Sequence, residues 1–363
     1  MNQELNFYQQ HLAKVSRSFA YCIQQMEAPL REWTSLAYLL CRALDTVEDT
    51  SWPTQEAQLK KIQEFAPLFE SKSSSALAVQ WSKGFSDQVT PAEKALIEDL
   101  PKLAADFKTC PAPVRQALSN LMTSMASGMS HFLAKSSGQQ KISSLAELNE
   151  YCFFVAGVVG EAMTHLVTYK GAYGQGGRSV ADTENHDAKY VNFTSRENIL
   201  RSFHFGLFLQ KVNILKDQFK DEKEGRFFIF DRRAVLKSLR EHAEQTLTYI
   251  KMIPAQEHGY RVFCATSFFL GLATIPLLQI QDSTWLEPKI EKESAIELFQ
   301  TIEAIADSNE KLNEMYRQYE EGFELIAESS AISASAARPE YVFEDWFFES
   351  YKGSLSKNEI QLI

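Results

Sequence analysis

The stretch Tyr38-Leu-Leu-Cys-Arg-Ala-Leu-Asp-Thr-Val-Glu-Asp49 decides the fold. Leu36, Leu39, Leu40, Leu44 and Val47 keep one apolar face, and neither Gly nor Pro stands between Arg31 and Trp52, so the segment reads as a helix. On a helix Asp45 and Asp49 leave from one face, with Glu48 beside them. Arg42 and Tyr38 extend the same stripe one and two turns back. Three carboxylates this close repel one another, and a divalent cation would turn the repulsion into coordination. Mg²⁺ takes one or two carboxylates together with phosphate oxygens. Taken alone, the stripe reads equally well as a solvated acidic turn paired to Arg42.

A second helix is predicted over 205–221, Phe-Gly-Leu-Phe-Leu-Gln-Lys-Val-Asn-Ile-Leu-Lys-Asp-Gln-Phe-Lys-Asp. Gln210, Asn213, Asp217 and Asp221 form a polar stripe along it, while Leu207, Phe208, Leu215 and Phe219 lie off the stripe as packing residues. Two acidic stripes on separate helices, set face to face, would enclose several Mg²⁺ ions and a diphosphate. In this the chain resembles the squalene and phytoene synthases, the head-to-head branch of the trans-isoprenyl diphosphate synthases. Their two aspartate-rich motifs look like Asp45-Thr-Val-Glu-Asp49 and Asp217-Gln-Phe-Lys-Asp221. The resemblance spans most of 16–279 and is closer to the squalene branch around 44–49, 151–160 and 205–226. It implies an all-α, single-domain isoprenoid synthase bundle around a central prenyl cavity.

Composition agrees with a helical core. Of 363 residues 45% are hydrophobic, whereas Gly (15) and Pro (11) are few, which disfavours a sheet. The net charge of −10 argues against nucleic acid and against electrostatic docking on an anionic membrane. It leaves room for a diphosphate, because metal ions supply positive charge locally. The five cysteines show no ligand spacing and fit buried thiols in a reducing cytosol. The seven histidines form no HxxxH or HExxH pattern, so a zinc site has no support. No signal peptide is visible at the N-terminus. The apolar run 262–280 approaches membrane-span length, but Thr266, Ser267, Thr274 and Gln279 punctuate it and Pro276 is expected to break it. A buried core helix is the reading preferred there. No internal repeat is present.

Several segments punctuate the chain. Ser16 or Ser18 is placed as a helix N-cap, Thr90-Pro91 starts another helix, and 71–75 is a polar loop. A helix from 111–113 carries Leu118, Leu121, Met122, Met125 and Met129 at core spacing. Within 145–173, Ala156, Gly157 and Gly160 are small residues one turn apart, so a neighbouring helix or a ligand must approach the backbone. Residues 174–187 read as a loop without a nucleotide fingerprint. The segment 291–328 reads as one long charged helix. The expected division is a helical domain over 1–328 and a linker with an aromatic, acidic tail over 329–363; the tail is expected to tuck onto the body.

The resemblance assigns roles. Asp45, Glu48, Asp49, Asn213, Asp217 and Asp221 are implied as metal ligands. Arg17, Ser18, Phe19, Tyr38, Arg42, Gln210, Asn213, Lys216 and Arg226 are implied at the substrate diphosphate. Lys216 stands where the family often has Arg, and so lacks the bidentate fork. Tyr151, in Tyr-Cys-Phe-Phe-Val-Ala-Gly-Val-Val-Gly160, matches a family tyrosine assigned a catalytic role beside Asp45, Asp49, Asp217 and Asp221. The second family tyrosine is Phe154 here. The facing of Glu161 is left open.

The reaction implied is Mg²⁺-dependent coupling of two farnesyl diphosphates to presqualene diphosphate, then NADPH-dependent rearrangement to squalene. The stretch Phe263-Cys-Ala-Thr-Ser-Phe-Phe lacks the Pro-Gln of eukaryotic squalene synthases, which weakens the NADPH expectation. Arg261 is the candidate for a cofactor phosphate. A C-terminal membrane span of the eukaryotic kind is not seen, so a cytoplasmic enzyme is expected, monomeric, with a peripheral membrane contact for product release left open. The rival readings are a dehydrosqualene or phytoene synthase without the hydride step, and a non-catalytic scaffold, which should have lost metal ligands.

Overall fold

The computed structural model describes residues 2–136, 140–173, 188–280, 288–328 and 343–360. The chain opens with α1 (Asn2–Val15), α2 (Arg17–Gln24) and α3 (Leu30–Asp49), the helix with the first acidic stripe. A smaller group follows: α4 (Gln55–Glu70), α5 (Ser74–Trp81), α6 (Pro91–Glu98) and α7 (Leu100–Thr109). Long helices then build the body: α8 (Ala112–Lys135), α9 (Leu145–Cys152), a π-turn (Phe153–Gly157), α10 (Val158–Tyr173), α11 (Ala188–Phe193) and α12 (Arg196–Lys223). The described chain closes with α13 (Arg232–Met252), α14 (His258–Ile280), α15 (Lys292–Ile305), α16 (Asn309–Glu328), α17 (Asp345–Ser350) and α18 (Lys357–Ile360). Among the described residues the only sheet is a parallel ladder of β1 (Gln140–Lys141) and β2 (Arg226–Phe227). The fold is all-α, as the composition predicts.

Local chemistry starts these helices where the sequence places the starts. Thr90 and Glu93 form a capping box with Pro91 in the first turn of α6. Thr54 accepts from the Ala57 amide at α4, and Ser144 from the Glu147 amide at α9. Ser16 is the cap residue of α2 but makes no side-chain cap hydrogen bond.

Helix α12 is the axis of the body, packed against α10, α13, α14 and the π-turn. The small residues of 156–160 allow this approach. A Cβ at Gly160 would stand 2.1 Å from the Ser202 carbonyl oxygen, and one at Gly206 would stand 2.3 Å from that of Ala156. The neighbour that the glycines require is therefore a helix. The methionine stripe of α8 is core: Met122, Met125 and Met129 are all buried.

Four segments differ from expectation. Helix α14 continues through Pro276 to Ile280. The acidic segment 291–328 is two helices, interrupted at residues 306–308, where Arg261 donates to the Ala306 carbonyl and Ser308 Oγ accepts from the Lys311 amide to start α16. The polar loop after α4 is shorter than expected, since α5 begins at Ser74. Helices 145–171 and 258–278 are each long and apolar enough to cross a membrane, yet each is mostly buried within the protein, as core helices are. The loop expected at 174–187 and the linker at 329–342 lie outside the described residues.

Candidate active site

Helices α3 and α12 bring their acidic ends together, and one guanidinium joins them. Arg226 Nη1 donates to Asp49 Oδ1 at 2.9 Å, Nη2 to Asp221 Oδ1 at 2.7 Å, and Nη2 to Glu224 Oε2 at 2.6 Å. The backbone aims Arg226 in two steps. Gly225, at φ +81°, ends α12 in the left-handed region that glycine tolerates. The residue then pairs into the β2 ladder opposite Gln140. Of the two stripes expected to face each other, Asp49 and Asp221 therefore share one partner.

The deeper carboxylates are recessed. Asp45 and Glu48 are half-buried. Burial, with Asp49 adding repulsion, pushes the Asp45 carboxyl up to about 7, against the pull of Arg42. Burial, Asp49 and Asp45 push Glu48 up to about 8. Burial also raises the Asp221 carboxyl, opposed by Arg226. Positive charge brought here would relieve a repulsion that the free protein carries.

Tyr151 stands at the same end. Its hydroxyl donates to Glu48 Oε1 at 3.3 Å, and its ring stacks on Phe228 at 4.8 Å and meets Phe132 edge-on at 5.3 Å. Burial and the adjacent Glu48 hold the phenol well above its usual range, so it stays protonated. Below the carboxylates, half-buried apolar side chains interrupt otherwise buried helix faces: Phe19, Tyr38, Val155, Val159 and Leu209. Phe19 contacts Tyr38 at 5.5 Å and Phe263 at 5.9 Å. All five side chains pack against the hydrophobic core.

The remaining candidates are placed as follows. Arg42 is paired to Glu93 at 2.5 Å, the same glutamate that closes the α6 capping box. Lys216 Nζ lies 3.7 Å from Asp217 Oδ1. Gln210 is half-buried and Asn213 exposed on α12. The side chains of Arg17 and Ser18 lie outside the described residues, although their backbone opens α2. Arg261 is a correction. It is 3% exposed, and its three donor nitrogens bind Ala306 O at 2.7 Å, Ile253 O at 2.8 Å and Asn309 Oδ1 at 2.6 Å. A guanidinium buried and bonded through all three nitrogens is a staple between helices rather than an open phosphate contact. Glu161 faces away from the carboxylates, toward the C-terminal segment. Phe228, Glu93 and Glu224 are site neighbours that sequence reading missed; the contacts of Phe228 with Tyr151 and of Glu93 with Arg42 are long-range and carry no local signal.

Among the described residues no three carboxylate, imidazole or thiol groups converge into a ready-made cage for one cation. The donors are hard oxygens spread over two helix ends. That set fits Mg²⁺ held by one or two carboxylates, with the other positions filled by phosphate and water. A soft or tetrahedral metal finds no such fit.

Comparison with known proteins agrees with this geometry. The family model for squalene/phytoene synthase matches residues 12–229. The squalene synthase of Bos taurus is 28% identical over 228 residues, covering 63% of this chain and 47% of that protein. The chain thus spans about half the length of such curated relatives. The structure of TcSQS in complex with E5700 superposes with a TM-score of 0.70 at 21% identity, covering 100% of this chain and 98% of that one. A dehydrosqualene synthase in complex with a ligand gives 0.53 at 15%, covering 85% and 98%. With both aspartate-rich helices, Arg226 and Tyr151 inside or at the edge of the matched region, the chain belongs to the squalene/phytoene synthase family.

Proposed function

We propose that the protein is a Mg²⁺-dependent prenyltransferase of the squalene synthase kind, joining two farnesyl diphosphates head to head into presqualene diphosphate. The observation that carries this reading is the convergence of Asp49 and Asp221, from two separate motifs, on the single guanidinium of Arg226. Bound Mg²⁺ would supply positive charge to the leaving diphosphate, held by Asp45, Glu48 and Asp49 on α3 and by Asn213, Asp217 and Asp221 on α12. Arg226, Lys216 and Arg42 are the cations within reach of phosphate oxygens, and all three now rest on carboxylates that an incoming anion and its metal would claim. Arg17 and Gln210 complete the proposed diphosphate set.

Tyr151, its proton in place and hydrogen-bonded to Glu48, is proposed to assist the proton loss that closes the cyclopropane, the released diphosphate accepting that proton. The half-buried side chains of Phe19, Tyr38, Val155, Val159 and Leu209 are the proposed apolar lining that would keep water from the allylic cation, with aromatic faces stabilising it. Reduction to squalene with NADPH is proposed on the likeness to squalene synthases alone, since Arg261 is spoken for and no step is assigned to a residue here. The missing Pro-Gln in the stretch from Phe263 favours a second reading, a dehydrosqualene-type outcome without hydride. A monomer working in the cytoplasm, with a peripheral membrane contact for product release, completes the proposal.

The test is product analysis of purified protein with farnesyl diphosphate and Mg²⁺, with and without NADPH. Squalene only with NADPH, and presqualene diphosphate accumulating without it, is the expected result. Dehydrosqualene in both reactions selects the second reading. No turnover of farnesyl or geranylgeranyl diphosphate rejects the enzymatic proposal.

A further inference from the structure

The C-terminal segment 343–360 is folded onto the back of the helix that carries Tyr151. Phe347 lies 4.8 Å from Phe153 and 4.9 Å from Phe154, ring to ring, and is fully buried. Trp346 meets Phe154 at 5.4 Å and stacks flat on His131 at 3.4 Å. Further along, Glu161 acts as a latch. Its Oε2 accepts from the Tyr351 hydroxyl at 2.6 Å, and its Oε1 accepts from both the amide and the hydroxyl of Ser354 at 2.6 Å. His165 Nε2 lies 3.6 Å from the same carboxylate. The Lys352 amide adds a bond to Ser124 Oγ on α8 at 2.9 Å.

The latched helix has two sides. Tyr151, Val155 and Val159 recur every fourth residue, and the two valines are half-buried. Phe153, Phe154 and Glu161 point instead to the tail. The brace falls on the π-turn, where the regular i→i−4 bonding is interrupted and packing must hold the backbone. We propose that Trp346 and Phe347, latched through Glu161, are positioning residues that fix Tyr151 and the half-buried Val155 and Val159 on the same helix face, and thereby set the preference for a C15 over a C20 diphosphate. The substrate half of this inference rests on the proposed function; the bracing half does not.

The experiment compares wild type with Phe347→Ala, the refilled Phe347→Leu and the latch variant Glu161→Gln. Hydrogen exchange of the amides of 151–159 should quicken about tenfold in Phe347→Ala, with α3 unchanged. The kcat for farnesyl diphosphate should fall about tenfold at near-constant KM, and the ratio of geranylgeranyl to farnesyl turnover should rise about tenfold. Phe347→Leu should recover most of each change. If Phe347→Ala does not fold, Glu161→Gln is read in the same assays with the same expected directions. Exchange that is unchanged, or that quickens equally in α3, overturns the bracing. Turnover of both substrates falling in parallel, with their ratio unmoved, overturns the role in specificity. Wild type inert toward both substrates defeats the proposed function, while the exchange result still decides the bracing.

Discussion

Replacing Arg261 by Met separates two roles that a lone arginine could have. The methionine keeps most of the aliphatic stem but removes all three donors. Ala306 O and Ile253 O then lose a partner they hold at 2.7 and 2.8 Å, and Asn309 Oδ1 loses one at 2.6 Å. Each buried acceptor left unsatisfied costs about 1–3 kcal/mol, and water reaching the partly exposed Asn309 side recovers some of it, so about 3 kcal/mol is expected. At about 2.1 cal/mol/K per residue, unfolding this chain carries an entropy near 0.76 kcal/mol/K, and the Tm should drop by about 4 °C. The assay is a circular dichroism melt, followed by steady-state kinetics below the transition with NADPH varied. The expected kinetics are an unchanged KM for NADPH per folded molecule. A Tm within about 1 °C of wild type, together with a raised KM for NADPH, would refute the staple and restore Arg261 as a cofactor ligand.

Other outcomes follow from the same geometry. Asp49→Asn and Asp217→Asn should each lower turnover at least about 10²-fold while leaving the melt unchanged, and excess EDTA should do the same to wild type; full activity in any of these removes the metal role. Tyr151→Phe should slow presqualene diphosphate formation about 10²-fold in single-turnover experiments, and an unaltered rate would strip the phenol of its part. His204, buried against His242 at 2.8 Å with Lys211 and Glu241 nearby, has its imidazole pushed down to about 4 by burial. The folded value lies below the unfolded value of about 6.5, so the stabilisation is present above about pH 6.5 and is lost as the pH falls toward 4, at most about 3 kcal/mol. His204→Gln should flatten that limb of a Tm-against-pH profile, and an unchanged limb would assign the acid sensitivity to other groups.

What the sequence made legible were features fixed by helical geometry over short spans. A spacing of four puts Asp45 and Asp49 on one face whatever the rest of the chain does. Thr90-Pro91-Ala-Glu93 carries its capping box within four residues, and Gly157 and Gly160 announce a close approach before the neighbour is known. What stayed hidden were pairings made at long range. Nothing local says that Arg226 reaches back to Asp49, or that Glu93 both caps a helix and holds Arg42. Arg261 looks like any available cation in a string of letters; only the break at 306–308 reveals its occupation. That break was itself invisible because the charged pattern of 291–328 runs on across it. The tail's aromatic residues suggested docking without saying on what, since the receiving surface comes from α8, the π-turn and α10 together.

The clasp of Arg226 on Asp49 and Asp221 has a thermodynamic consequence. The resting protein contains its own competitor: a cation entering between these carboxylates must dislodge a guanidinium already seated at 2.9 and 2.7 Å. The dislodged guanidinium then needs an anion, and under the proposed function a diphosphate is that anion. Metal and diphosphate would then each strengthen the other's binding, a reciprocal linkage of the kind worth about 1–3 kcal/mol. A protein so built would hold the bare ion loosely and the ion–diphosphate pair firmly.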